Sequence, residues 1–312
     1  MGTLYKPRDW QAYNEAKRQE GNIFILISSD IKEWWYESQD KQKRGRPVLF
    51  SKVAIEFCLT FRQFLNKPLR QAEGFISGLF KQLEIEVLTP DYTTLSRRAS
   101  FITPVYRSSA PKEDLWMIVD SSGLQIHRGS NWCSEKHGLH RKAWKKLHIA
   151  LDAESGEAIA TSLTESHVAD SSQVSVLREQ CFDSLEGFYA DGAYDRHETY
   201  AAINQNQPNW PVDTIVPPID TSLFPEDPAI MLNQRQQHLE FIYHQGREAW
   251  EIKEGYGKRN RVEAFFARYK ANFGEKLKSR DSSVQNAEID INCKLLNIYK
   301  EYYTKGYRKT FN

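Results

Sequence analysis

The residues best suited to chemistry in this chain are three acids, Asp120, Asp191 and Glu263. Glu263 lies in GYGKRNRVEAFFARYK, Gly255 to Lys270. Read as one helix at about 100° per residue, this stretch brings Arg259, Glu263 and Lys270 within roughly 40° of one another, and Tyr256 joins them if the helix starts early. Val262, Phe266, Tyr269 and Phe273 form a neighbouring apolar stripe suited to burial against a sheet. Asp120 ends the apolar run LWMIVD, and Asp191 ends the strand-like EGFYAD. Carboxylates at the ends of neighbouring strands, with a third from a covering helix, can converge on one point. Three hard oxygen donors suit Mg2+, with Mn2+ as the alternative ion. Two such ions roughly 3.5 to 4 Å apart activate a water or a 3′-hydroxyl and stabilise the departing oxygen of an in-line displacement. The plainer alternatives are a solvated Arg–Glu pair at i,i+4 on the helix and strand-end acids that serve solubility.

Elements of changing character have to position these groups. Tyr5 to Glu37 carries Trp10, Tyr13, Phe24, Trp34, Trp35 and Tyr36 among charges, which predicts an ordered helical arm. KQKRGRP, Lys41 to Pro47, is a basic linker whose Arg44 and Arg46 suit a narrow minor groove; the alternative is a solvated connection. From Ser51, SKVAIEFCLTFRQFL has a Ser N-cap and an apolar stripe through Val53, Phe57, Phe61 and Phe64. Pro68 opens LRQAEGFISGLFKQL, and Pro90-Asp91 precedes YTTLSRRASF. A helix, a turn and a short polar helix bearing Thr93, Thr94, Ser96, Arg97 and Arg98 predict a helix-turn-helix-like DNA-binding unit, against a plain bundle with an Arg-rich face.

After Ser108 the periodicity changes. LWMIVD continues through SSGLQIHR, and WKKLHIALDAESGEAIATSLTES reads as two strands joined by a turn at Glu154-Ser155-Gly156. A helix over SSQVSVLREQCF, the strand ending at Asp191, a helix at Glu198 to Asn204 and a strand at Thr214 to Val216 follow. The last helix runs from Asn286 to Tyr302. The fold class is therefore α/β, a mixed sheet flanked by helices, behind an all-helical N-terminal part. The expected division is residues 1–108 and 109–312. Residues 217–250, rich in Pro, Asn and Gln, are expected to form a small insertion or loop.

A hydrophobic share of 40% and a charged share of 27% describe a globular protein. The net charge of +1 conceals local patches. Lys258 to Arg280 holds eight Lys/Arg against two Glu, and Lys41 to Arg46 holds four cations with no acid. Such patches, rather than the total, attract a phosphate backbone. Cys58, Cys133, Cys181 and Cys293 show no paired spacing, which fits a reducing compartment. The start MGTLYKPRDWQAYN lacks an apolar signal core and no run approaches membrane-spanning length. The expectation is a cytoplasmic protein, nucleoid-associated if it binds DNA, with no membrane partner.

Taken together, these pieces resemble the DDE transposases of bacterial insertion sequences, specifically the insertion-sequence-five group. The resemblance rests on VDSSGLQIH around Asp120, RKAWKKLHIALDAESGE, YADGAYD around Asp191 and GYGKRNRVEAFFARYKANFGEKL around Glu263. The last contains the superfamily's Tyr, Arg, Glu and Lys at Tyr256, Arg259, Glu263 and Lys270 with every gap intact. LRQAEGF, PDYTTLSRRAS, DWQAYN and EGN extend the match over essentially the whole chain. One departure is VPPID at Val216 to Asp220, where the family often has Pro-Pro-Arg. The resemblance implies an RNase H-like catalytic domain and an N-terminal DNA-binding domain. It also implies binding of terminal inverted repeats in double-stranded DNA, cleavage at the element's ends and joining of the 3′-ends to target DNA with magnesium. Asp120, Asp191 and Glu263 would be the catalytic metal ligands. Arg259 and Lys270 would hold phosphates, and Tyr256 would position the DNA end. Two ends must meet, which implies a homodimer or higher assembly.

Other groups in the chain suggest different chemistry. Cys133, His137 and His140 in NWCSEKHGLHRK match no standard zinc spacing; His137 and His140, with Lys142, Lys145 and Lys146, are expected to form a basic loop facing DNA. His127, His148 and His167 are expected to pack or to lie on the polar surface. There is no Gly-rich phosphate loop for ATP, and Ser121 lacks a legible His/Asp arrangement. Trp210, Trp250 and Tyr243 either stack on an unpaired base or pack the insertion. The competing functions are a catalytically silent, transposase-derived repressor or architectural protein and an RNA-cleaving nuclease with the same triad.

Overall fold

The computed structural model describes residues 10–38, 48–104, 114–126, 144–205, 211–219 and 229–310. It separates into two compact units, one of Met1–Tyr106 with Ala287–Asn312 and the other of Arg107–Asn286. Among the described residues, no helix is long and apolar enough to cross a membrane.

The first unit contains α1 (Trp10–Glu20), α2 (Ile31–Trp34), α3 (Lys52–Phe64), α4 (Leu69–Gln82) and α5 (Tyr92–Arg98). The Ser51 hydroxyl caps α3 by accepting the Ala54 N–H at 3.0 Å, a contact worth about 1 kcal/mol. Asp91 caps α5 in the same way, accepting from the N–H groups of Thr93 and Thr94. Trp35 is fully buried between Phe57 and Phe80, and its indole N–H donates to the Leu88 carbonyl at 2.7 Å. Val53, expected on the buried stripe of α3, is 52% exposed. Phe57 and Phe61 of that stripe are buried, and Ala54, Ile55, Cys58 and Leu59 join them on the buried face.

The second unit is built on a five-stranded mixed sheet in the order β3-β2-β1-β4-β5. Its strands are β1 (Leu115–Gln125), β2 (Trp144–Asp152), β3 (Ala158–Glu165), β4 (Leu185–Tyr189) and β5 (Asp213–Ile215). The first three are antiparallel, and β4 and β5 join parallel to β1. On one face, Leu115, Met117 and Val119 of β1 enter a core with Val174 and Leu177 of α6 (Val174–Glu179) and Ala202 and Ile203 of α7 (His197–Asn204). Strand alternation points Ile118 and Asp120 to the other face. There β1 meets α10 (Asn260–Phe273), whose expected stripe Val262, Phe266, Tyr269 and Phe273 is buried together with Phe265.

Two expectations change here. Asp120 does not end its strand, because β1 continues in register against β2 as far as Gln125. The stretch expected to be an irregular insertion is helical over α8 (Ala229–Gln245) and α9 (Arg247–Lys253), while residues 220–228 lie outside the described residues. Helix α8 buries Arg235 and His238; its inward face is partly polar, so apolar periodicity did not reveal it. The final helix, α11 (Ser282–Thr310), contributes residues to both units.

Candidate active site

Pairing register brings the first two acids together. Strands β1 and β4 run parallel with Ile118 opposite Tyr189. Continuing both chains by two residues sets Asp120 beside Asp191 on strands spaced about 4.8 Å apart. Asp191 itself follows the end of β4 and caps the 3-10 turn Gly192–Tyr194, accepting the Ala193 N–H at 2.9 Å. Glycine is required at two points around this pairing. A Cβ on Gly187 would stand 2.2 Å from the Trp116 ring, and one on Gly192 would stand 2.8 Å from Ile219.

The third acid comes from a segment that is not one helix, as the sequence suggested, but two. Gly255 adopts a left-handed φ of 63°, Tyr256–Arg259 form a 3-10 turn, and α10 begins at Asn260. The Tyr256 hydroxyl donates to the Ala190 carbonyl, the residue before Asp191, at 3.3 Å. Its ring packs on Trp250 at 5.3 Å between centroids. Arg261 donates to the carbonyls of Ala153 and Glu154, tying the start of α10 to the turn between β2 and β3. Glu263 is thereby held in the first turn of α10.

Arg259 is the meeting point. One terminal nitrogen donates to Glu263 Oε1 at 2.6 Å, and the other donates to Asp120 Oδ2 at 2.9 Å and lies 3.9 Å from Asp191 Oδ2. Three acids that are far apart in sequence are thus gathered round one guanidinium. The side chains of Asp120 and Arg259 are only 13% and 17% exposed, while Asp191 and Glu263 open to solvent. Burial pushes the Asp120 carboxyl above its usual range and outweighs the pull of Arg259. Burial would lower Arg259, but Asp120 and its other anionic neighbours raise it. Three carboxylates against one guanidinium leave a formal balance of two negative charges.

Polar contacts fix the surroundings, and of their members the sequence marks only Trp250, as a candidate base-stacking residue. Asp195 closes the turn that Asp191 opens. It accepts from Arg235 Nε at 2.9 Å and Nη2 at 2.8 Å, from the Tyr200 hydroxyl at 3.2 Å and from the Ile219 N–H at 3.1 Å. The Trp250 indole donates to His238 Nδ1 at 2.8 Å, so His238 Nε2 carries the proton and donates to the Thr214 carbonyl at 3.1 Å. Burial lowers the pKa of this imidazole. Asp195 and Tyr194 lie in the quoted YADGAYD segment, but no spacing rule connects Arg235 or His238 to it.

The remaining residues singled out from the sequence are distributed as follows. Lys270 lies on α10 two turns beyond Glu263 and is half-buried. Lys145 and Lys146 belong to β2 rather than to a loop. Lys145 reaches Ser282 Oγ at 2.6 Å and Glu165 at 3.5 Å, and Lys146 reaches Asp170 at 3.1 Å and the Val168 carbonyl at 3.0 Å. In the first unit, Arg97 is exposed and folds back on Thr93. Thr94 donates to Asp91, and Arg98 donates to the Phe50 carbonyl. Of the candidate stacking aromatics, Trp250 is fully buried and Tyr243 is 86% exposed. Arg44, Arg46, Cys133, His137, His140, Lys142 and Trp210 lie outside the described residues.

Among the described residues, no three His, Cys, Asp or Glu side chains stand ready to hold a metal ion. The acids at Arg259 nevertheless suit a divalent cation chemically, being all-oxygen donors with an excess of negative charge gathered round an existing cation. The chain also matches two known family models. A family model described as a transposase DDE domain matches residues 111–298, and a second model with the same description matches residues 18–129.

Proposed function

Since the chain belongs to the DDE transposases of insertion sequences, we propose that it binds the terminal inverted repeats of its own element, cleaves there and transfers the 3′-ends to target DNA. The observation that carries this reading is the convergence of Asp120, Asp191 and Glu263 on the single guanidinium of Arg259. The mixed sheet flanked by helices is read as an RNase H-like catalytic domain, and the α3–α4–α5 segment of the first unit as its DNA-binding part.

Asp120, Asp191 and Glu263 would hold the divalent ions on which this family's chemistry depends, with Mg2+ as the proposed species. Bound there, such ions supply charge stabilisation at the phosphoryl group and an activated water or hydroxyl nucleophile. The chain's own residues do the rest. The Tyr256–Ala190 hydrogen bond and the capped turn after Asp191 hold one carboxylate in place. Arg259 can offer its two terminal nitrogens to a phosphate as a fork, whereas Lys270 offers a point charge. Negative charge building up on the phosphoryl oxygens is stabilised by such preplaced donors. The insertion-sequence-five group and an assembly of two or more copies are part of the proposal.

The test uses the DNA that flanks the coding region, cut to duplexes carrying the terminal repeats. Wild-type protein with Mg2+ should cleave at the repeat boundary, and Asp191→Ala should lose cleavage at least a thousandfold (about 4 kcal/mol of barrier) while still retarding the duplex in a gel. A wild-type protein that binds the repeats without cutting them would favour a silent DNA-binding role instead.

A further inference from the structure

Arg259 is placed unusually for a residue that would serve DNA. Its two terminal nitrogens are committed to Glu263 and Asp120, with Asp191 at 3.9 Å, so the guanidinium fills the centre of the acid cluster. Its Nε is buried and has no hydrogen-bond partner, so among the described residues its polar contacts run through the terminal nitrogens to these acids. Arginine does not lose its charge at any accessible pH. Loss of the guanidinium's own charge therefore cannot end the contact, whereas a competing phosphate or cation can end it by displacement.

We propose that Arg259 is an internal counter-cation that closes the acid cluster until a DNA phosphate draws it away, which links DNA engagement to the loading of divalent ions. This rests on the reading of Asp120, Asp191 and Glu263 as the ion-binding site and adds regulation to it. The guanidinium and the incoming ion compete for the same oxygens, and the fork that now serves two carboxylates is equally suited to the two oxygens of a phosphate. A phosphate bound beside the cluster stabilises the displaced position of Arg259 and so favours ion loading. By reciprocity, ion loading favours the state that binds phosphate, and couplings of this kind are typically about 5- to 150-fold.

The local backbone is suited to the change. Arg259 is the last residue of the 3-10 turn, at the junction with α10, where the tighter 3-10 winding gives way to the α-helix. Gly255 precedes the turn with φ 63°, and a Cβ on Gly257 would meet no atom within 4 Å. Rotation about this junction moves Arg259 while Glu263 remains on the anchored helix. A transposase built this way stays unloaded, and cannot nick, until an end is in place.

Mn2+ binding to the full chain, followed by electron paramagnetic resonance of the free ion, reads this without activity. Without DNA, Arg259→Gln should bind Mn2+ roughly tenfold more tightly than wild type, and Arg259→Lys, which keeps the charge, should stay near wild type. Adding a duplex of the element's own terminal repeat should tighten Mn2+ binding to wild type and leave Arg259→Gln little changed. Equal affinity of wild type and Arg259→Gln, or equal tightening by Gln and Lys, overturns the counter-cation. Wild-type affinity unmoved by a duplex that is demonstrably bound overturns the link. Asp120→Asn separates the two levels. If it binds Mn2+ as wild type does, the site reading itself has failed; if it loses Mn2+ while Arg259→Gln matches wild type, only the inference has.

Discussion

Replacing Arg235 by leucine tests whether the turn bearing Asp191 is held by the buried ion pair behind it. Arg235 and Asp195 are 3% and 1% exposed and share two hydrogen bonds, at 2.9 and 2.8 Å. Without the guanidinium, the Asp195 carboxylate keeps the Tyr200 hydroxyl and the Ile219 N–H but stays buried with its charge unmatched. Removing one partner of such a pair costs about 3–5 kcal/mol. For a cooperative unit of this size each kcal/mol moves Tm by about 2–4 °C, so the variant should melt on the order of 10 °C lower. Circular dichroism melts and urea titrations measure this directly. The double variant Arg235→Leu with Asp195→Leu should recover much of the loss, because the penalty lies in the unmatched charge rather than in the missing attraction. A single-variant loss below about 1 kcal/mol, the range of exposed pairs, would refute the reasoning. So would a double variant that loses the sum of both singles.

Two further outcomes follow from buried groups close by. Tyr194 is 1% exposed and, among the described residues, its hydroxyl has no hydrogen-bond partner, so Tyr194→Phe should raise stability by about 1 kcal/mol in urea unfolding; a loss would mean the hydroxyl is bonded in solution. The His148 imidazole is fully buried, and burial lowers it from 6.5 to about 4. The unfolded chain takes up this proton first, so the stability His148 contributes is complete above pH 6.5 and disappears as the pH falls towards about 4. The loss is on the order of 3 kcal/mol. His148→Phe should flatten the dependence of unfolding free energy on pH across that window, and an unchanged slope would count against it.

Much of the local structure was written in short stretches of sequence. Ser51 and Asp91 have the side chains a helix N-terminus needs, the Glu154-Ser155-Gly156 turn separates two strand-like runs, and the stripe on α10 has the helical period. The gaps between Tyr256, Arg259, Glu263 and Lys270 were likewise visible, because residues on one element share a face at fixed spacing. Local patterns failed where burial was polar. The inward face of α8 carries Arg235 and His238, which no apolar period marks, and the 3-10 turn before α10 follows from Gly255 at positive φ and the anchoring of Tyr256 on Ala190.

What only the tertiary structure decided is who meets whom. Asp120 and Asp191 are neighbours because β1 and β4 pair in parallel with Ile118 opposite Tyr189. That register depends on burying whole faces of the sheet, and a slip of one residue would turn every side chain of a strand to the other face. The pairing of Arg259 with Glu263 is local, at i,i+4, but its contacts with Asp120 and Asp191 are not. Residue types set the charges, but only packing, summed over segments distant in sequence, determined which of the many cations would stand between those three carboxylates.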